Sequence, residues 1–196
     1  EQALGDYASQ CLAGDLRKQF HSWHRRLLPA GIVNSLAQTA LRLAMPGVPD
    51  IYQGAEGWNL SLVDPDNRRR VDSAALARDM AAPAPDFASD WESGRVKMHL
   101  VQRLLDDRKR RPALYASGSY LPLDVEGPHG NNVLAFARVH ATGALIVAVP
   151  RGVARHLPAD QPPSLGEAFT GTRLALPARL RAAKWRDLLG DRELGP

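Results

Sequence analysis

Cysteine is nearly absent: Cys11 stands alone, so no intrachain disulfide can form, and a reducing compartment, the cytoplasm, is the expected home. Long apolar runs are missing too, and nothing has the charged-then-apolar head of a secretory signal, so no membrane partner is expected. The chain opens Glu1-Gln2-Ala3 without an initiating Met, so a targeting segment ahead of it stays open. Aromatics make up only 6% of the residues. The basic runs Arg68-Arg69-Arg70 and Arg108-Lys109-Arg110-Arg111 therefore lack the interleaved rings of a single-strand stacking platform. They read as solvated faces and helix ends, and no nucleic-acid partner is expected despite a net charge of +4 and a pI near 9.6. No repeat of fixed period is visible, which argues against solenoids and propellers. His21 and His24 sit three apart on a helical pattern, but no third ligand follows nearby, so no metal is expected.

What is present is the balance of an ordinary globular chain: 196 residues, 44% hydrophobic and 23% charged. Leu12, Leu16, Phe20, Trp23 and Leu27 recur at three- and four-residue steps, which predicts an amphipathic helix that needs a partner surface. After Pro29-Ala30-Gly31, Asn34 is a candidate N-cap for a second helix carrying Leu36, Ala40 and Leu43, ended by Pro46-Gly47. Gly47 to Gly54 holds β-branched and aromatic residues between glycines and reads as a strand. Trp58 to Asn67 reads as loop, and Ala81 to Pro85 as a surface excursion. Val96, Leu100, Val101, Leu104 and Leu105 mark another helix, ending in the basic run before Pro112.

Beyond Pro112 the texture changes. Short runs at Ser119–Val125, Asn132–His140, Ala144–Val149 and Arg173–Leu176, separated by turn residues, predict a small antiparallel β-domain whose core Trp185, Leu188 and Leu189 would plug. Two domains follow, 1–111 and 112–196.

Three blocks carry a family likeness: Asn34-Ser35-Leu36-Ala37-Gln38-Thr39, then Pro46-Gly47-Val48-Pro49-Asp50-Ile51-Tyr52-Gln53-Gly54-Ala55-Glu56, then Leu60-Ser61-Leu62-Val63-Asp64-Pro65-Asp66-Asn67-Arg68-Arg69. Together they resemble the maltooligosyltrehalose synthase family. The Gly-Val-Pro to Tyr-Gln-Gly-x-Glu part is similar to the last barrel strand of the wider α-amylase superfamily, glycoside hydrolase family 13, and the Leu-Val-Asp-Pro-Asp-Asn-Arg wording is narrower. The likeness runs on more loosely through Lys97, Leu104–Pro112, Gly118–Leu123, Ala135–Arg138, Val149–Arg151 and Trp185–Leu189. Arg70 replaces an expected proline, and Gly57 interrupts a Glu-x-Trp step.

The resemblance implies the C-terminal portion of a (β/α)8 barrel, its helices and last strand, followed by a small antiparallel β-sandwich, an α/β plus all-β chain. It implies an intramolecular transferase, a (1→4)-α-D-glucan 1-α-D-glucosylmutase that converts the reducing-end α-1,4 linkage of maltooligosaccharides to α,α-1,1 with retention, as in trehalose biosynthesis. No cofactor is implied. The carboxylates that such enzymes carry on earlier barrel strands have no counterpart in this sequence, so no catalytic residue is assigned and the chain alone is expected to be silent. Its partners would be an α-glucan and the missing N-terminal catalytic barrel portion. One or two barrel units also expose apolar faces, so residues 1–111 are expected to self-associate or repack.

Strand 48–53 would place its following loop at the substrate-facing rim. Asp64 and Arg68 are the leading substrate contacts, because related superfamily enzymes hold sugar hydroxyls with this Asp-Pro-Asp-x-Arg spacing. The alternative is that they pair with each other across a turn that Pro65 and Asn67 enforce. Trp58 and Tyr52 could stack on pyranose rings, although a strand tyrosine more often packs inside. Glu56 is a candidate rim residue that orients loops and not an acid catalyst, because nothing supplies a paired carboxylate. Asp86, Asp90 and Glu92 read as a solvated loop. Other readings are a different superfamily enzyme, or a non-catalytic glucan-binding module using Tyr115, Tyr120, Phe136, Phe169 and Trp185.

Overall fold

The structure, a computed structural model, describes residues 1–64 and 68–194. Helix α1 spans Gln2–Ala13, and after Gly14 in extended conformation α2 runs unbroken over Asp15–Ala44. The expected break at Pro29 is therefore absent, and Asn34 lies inside the helix instead of capping it. Proline has no N–H, which orphans the carbonyl four residues back, here that of Arg25. The backbone N–H of Asp160 donates to that carbonyl at 3.2 Å, and the Asp160 carboxylate pairs with the Arg25 guanidinium. A distant loop thus fills the gap, and the helix continues. Its two halves differ: residues 15–26 are exposed all round, whereas Pro29, Ala30, Ile32, Val33, Ala37, Leu43 and Ala44 are buried.

No strand forms over Val48–Gln53, which corrects the expected last barrel strand; the stretch runs as coil into a turn at Gln53-Gly54, with Val48 96% exposed. The reason is pairing. A parallel barrel strand takes its hydrogen bonds from neighbours on both sides, and neither is present among the described residues. Helices α3 (Ser73–Ala81), capped by the Asp72 side chain, and α4 (Phe87–Asp90) flank the proline-rich excursion. Helix α5 (Gly94–Arg110), capped by Ser93, ends in the basic run as the sequence predicts, and α6 (Pro112–Ser117) starts on the proline. Leu43 of α2 packs with Leu100, Val101 and Leu104 of α5, joined by Leu36, Ile51 and Leu188.

Seven short strands follow among the described residues: β1 (Ser119–Pro122), β2 (Val125–Glu126), β3 (Val133–His140), β4 (Gly143–Pro150), β5 (Arg173–Leu174), β6 (Trp185–Arg186) and β7 (Glu193–Leu194). A last short helix, α7, covers Ala178–Arg181. All pairings are antiparallel, in sheets ordered β1-β3-β4, β2-β5 and β6-β7. The β3–β4 hairpin, in register from Val133↔Pro150 to His140↔Gly143, alternates its two faces strictly. Phe136, Leu145, Val147 and Val149 meet Ala37 and Ala44 of α2 and Leu114 and Tyr115 of α6. Ala135, Ala137, Val133 and Ile146 meet Leu123, Leu174, Leu180 and Trp185 on the other side.

Arg138, on the helix-facing side of β3 and 1% exposed, donates to the carbonyls of Ala44 (3.2 Å), Tyr115 (2.9 Å) and Gly118 (2.9 Å). It closes the C-terminal ends of α2 and α6, whose last carbonyls have no partner inside their helices. The core therefore runs across Pro112 and ties the helices to the first sheet. Of the expected plug, Trp185 packs into the sheet core, Leu188 goes instead to the α2–α5 cluster, where Arg103 holds its carbonyl at 2.7 Å, and Leu189 is exposed. Among the described residues no helix is long and apolar enough to cross a membrane.

Candidate functional site

The segment after residue 53 is held against the start of α5 by backbone as much as by side chains. Gly54 takes a positive φ of 80°, the turn closes with Ala55 N–H donating to Tyr52 O at 2.9 Å, and a side chain at 54 would sit 3.1 Å from Val71. Gly57 then lies against Gly94, where an added Cβ would come within 3.0 Å of the Trp58 nitrogen and 3.3 Å of the Gly57 Cα. Gly94 is what allows this approach, since a Cβ at Gly57 would meet Gly94 at an ordinary 3.7 Å. Lys97 reaches across from α5 and donates to the Gly57 carbonyl at 3.0 Å, with its ammonium 5.9 Å from the centre of the Trp58 ring. Trp58 Nε1 donates to Glu92 O at 2.9 Å. Beyond it, Asn59 Oδ1 accepts from the Ser61 backbone at 2.9 Å and hydroxyl at 2.5 Å, an Asx turn that directs the chain outward.

Lys97 is the residue that sequence reasoning left without a role. It is 8% exposed, and burial first, then the charge of Arg42, holds its ammonium below the ordinary 10.5, with Glu56 opposing. The signal was present: Lys97, Val101 and Leu104 share one stripe of α5, and a lysine on an apolar stripe needs a partner. Glu56 keeps its Oε2 buried without a hydrogen-bond partner. That leaves one acceptor at the loop's base free of any protein donor.

The candidate residues fall into three places. Glu56 and Trp58 gather at the base with Lys97. Asp64 and Arg68 pair with each other at 2.9 Å, with side chains 79% and 75% exposed. Pro65, Asp66 and Asn67, where the sequence reading expects a turn, lie outside the described residues. Tyr52 contributes its carbonyl to the Gly54 turn and presents its ring to solvent, not to the interior that a strand would have given it. His24 stacks on Phe20, and among the described residues no three metal-ligating side chains gather. Of the five aromatics a glucan-binding module could use, Tyr115 and Phe136 are fully buried, and Tyr120 lies on Phe136 at 4.9 Å. Phe169 stacks with His129, and Trp185 donates to Leu180 O at 3.0 Å. They do not form an open platform.

No protein-family model matches the chain. Over 122 residues, 62% of the chain, it is 38% identical to proteins of two Mycobacterium tuberculosis strains, CDC 1551 and H37Rv, that carry the name maltooligosyl trehalose synthase. The solved maltooligosyltrehalose synthase of Arthrobacter ramosus superposes on 94% of the chain with a TM-score of 0.72 and 29% identity. The family this chain resembles is maltooligosyltrehalose synthase. A second solved maltooligosyltrehalose synthase gives a TM-score of 0.68 at 26% identity, over 92% of the chain. The chain spans 14% of the length of the curated synthases and 23% of the Arthrobacter structure, so it corresponds to one part of such an enzyme. The synthases it matches share its combination of helices with small antiparallel sheets.

Proposed function

We propose that the chain is the C-terminal part of a cytoplasmic maltooligosyltrehalose synthase, with residues 1–111 completing a catalytic (β/α)8 barrel and 112–196 forming its β-sandwich. The whole enzyme isomerises the reducing-end α-1,4 bond of a maltooligosaccharide. A carboxylate nucleophile on the rest of the barrel displaces the terminal glucose and forms a glucosyl-enzyme bond. The released glucose turns over and attacks through its anomeric hydroxyl, giving the α,α-1,1 bond with net retention. This chain's share is to grip the sugar and keep water out.

The observation that carries this reading is the loop at the base of α5, where Gly57, Trp58, Lys97 and Glu92 interlock and leave Asp64 and Arg68 on its exposed arm. An exposed ion pair contributes on the order of 0.5 kcal/mol, so sugar hydroxyls can replace it at little cost. Arg68 then donates to one hydroxyl and Asp64 accepts from its neighbour. Trp58 offers its ring to a pyranose, Glu56 orients the loop from its base, and Tyr52 lies at the rim. No cofactor enters. The burial of Tyr115 and Phe136, with Tyr120 stacked on Phe136, weighs against a free-standing glucan-binding module.

The test is titration of the chain with maltopentaose by calorimetry, with an assay for trehalose-capped product on the same sample. Binding without turnover, lost in D64A and in R68A, is the expected result; turnover by this chain alone would contradict the assignment of the carboxylates elsewhere.

A further inference from the structure

Pro29 marks a change within α2. Behind it the helix is anchored by buried residues from Ala30 to Ala44, whereas ahead of it residues 15–26 are exposed all round. Long helices kink at proline, where one backbone hydrogen bond is missing. Gly31, two residues on, adds a second weak point, since glycine is the poorest helix former after proline. Yet α2 stays one helix.

Asp160 spans this point from outside. Its N–H serves the Arg25 carbonyl that Pro29 leaves without a donor, and its carboxylate holds the Arg25 guanidinium, so one residue grips the helix by main chain and side chain together. Asp160 takes a φ of 57°, a left-handed conformation that residues with a Cβ hold only when their surroundings favour it. Pro158, Pro162 and Pro163 stiffen the segment around it, and Val153 and Pro163 bury its two ends. The segment therefore has little conformational freedom left to lose when it docks on α2.

We infer that Pro29 is a hinge in α2 and that Asp160 is the latch that holds it straight, so that the segment after β4 sets the angle at which residues 1–28 are carried. With the latch released, the first half of α2 swings about Pro29 and Gly31 while the buried half and the hairpin stay in place. The Arg25–Asp160 pair is partly open to water, with side chains 60% and 37% exposed, so it is weak beside the core and opens without unfolding it.

The test is the distance between spin labels in the full chain, carried by Ser22→Cys and Ala141→Cys with Cys11→Ser, all measured by double electron–electron resonance. Ser22 and Ala141 are exposed, the first ahead of the hinge and the second at the tip of the β3–β4 hairpin. With Pro29 and Asp160 intact the labels should give one narrow distance distribution. D160A removes the carboxylate and disfavours the left-handed turn that aims the N–H, and it should widen the distribution by at least roughly twofold. P29A/D160A should return it to the narrow form, because an alanine N–H restores the bond to the Arg25 carbonyl inside the helix. A distribution already broad with Pro29 and Asp160 intact, or one left unchanged by D160A, overturns the inference. So does a P29A/D160A chain as broad as D160A, because the broadening would then come from the altered loop or from general unfolding and not from the proline.

Discussion

The front half of α2 and the β3–β4 hairpin both announce a buried face by their periodicity, but only the hairpin has one. In the hairpin one face meets α2 and α6 and the other meets Leu123, Leu174, Leu180 and Trp185, and Phe136 is wholly enclosed. In residues 15–27 the stripe is equally regular and faces solvent. Period fixes which side of an element is to be covered, and only the presence of a complementary surface in the same chain decides whether it is.

The sharpest way to break that comparison is truncation on each side of it. F136A should destabilise the chain by about 3–5 kcal/mol, as expected for an enclosed phenylalanine. F20A should stay within about 0.5 kcal/mol, the range of surface changes, with both values read from denaturant unfolding. Equal effects would mean that the arm is packed in solution.

The loop base gives the next effect. Alanine normally favours a helix over glycine, but G94A puts a Cβ 3.0 Å from the Trp58 nitrogen. Backbone cannot yield as a side-chain tip does, so G94A should cost about 1–3 kcal/mol and speed proteolysis after Trp58. A stabilised G94A would show that the loop is not seated there.

Lys97 sharpens the same point through pH. Because burial lowers its value in the folded chain, the unfolded chain holds more protons between that lowered value and 10.5. Stability should therefore rise with pH across that window relative to K97M, and the Lys97 penalty should be fully present below it. Parallel unfolding curves for wild type and K97M would contradict a buried ammonium.

The smallest effect on stability is expected at the tip: D64A and R68A should each change it by less than about 0.5 kcal/mol, since their ion pair is exposed. Their effect should fall on maltopentaose binding.

Some elements whose partners lie within the chain were legible to within about two residues, whereas α3 and α6 were not read at all. Helix α5, its basic end, the break at Pro112 and strands β3 and β4 follow the sequence pattern closely. What failed depended on distant or missing partners. Pro29 reads locally as a break, and only the Asp160 N–H, far along the chain, lets α2 continue. Residues 48–53 have strand composition without a strand to pair with among the described residues. In the candidate site, family likeness placed Glu56 and Trp58 at the substrate-facing rim, whereas they lie at the loop base beside Lys97, which was given no role because its contact with Gly57 spans forty positions.

The most direct test of the account is a chimera of the Arthrobacter ramosus synthase in which its matched 23% is replaced by this chain, assayed for trehalose-capped product from maltopentaose. Product formation that falls away in the D64A and R68A versions is the predicted result. A soluble, folded chimera that makes no product, or one whose rate is indifferent to both substitutions, would contradict the claim that this chain supplies the sugar-gripping rim of such an enzyme.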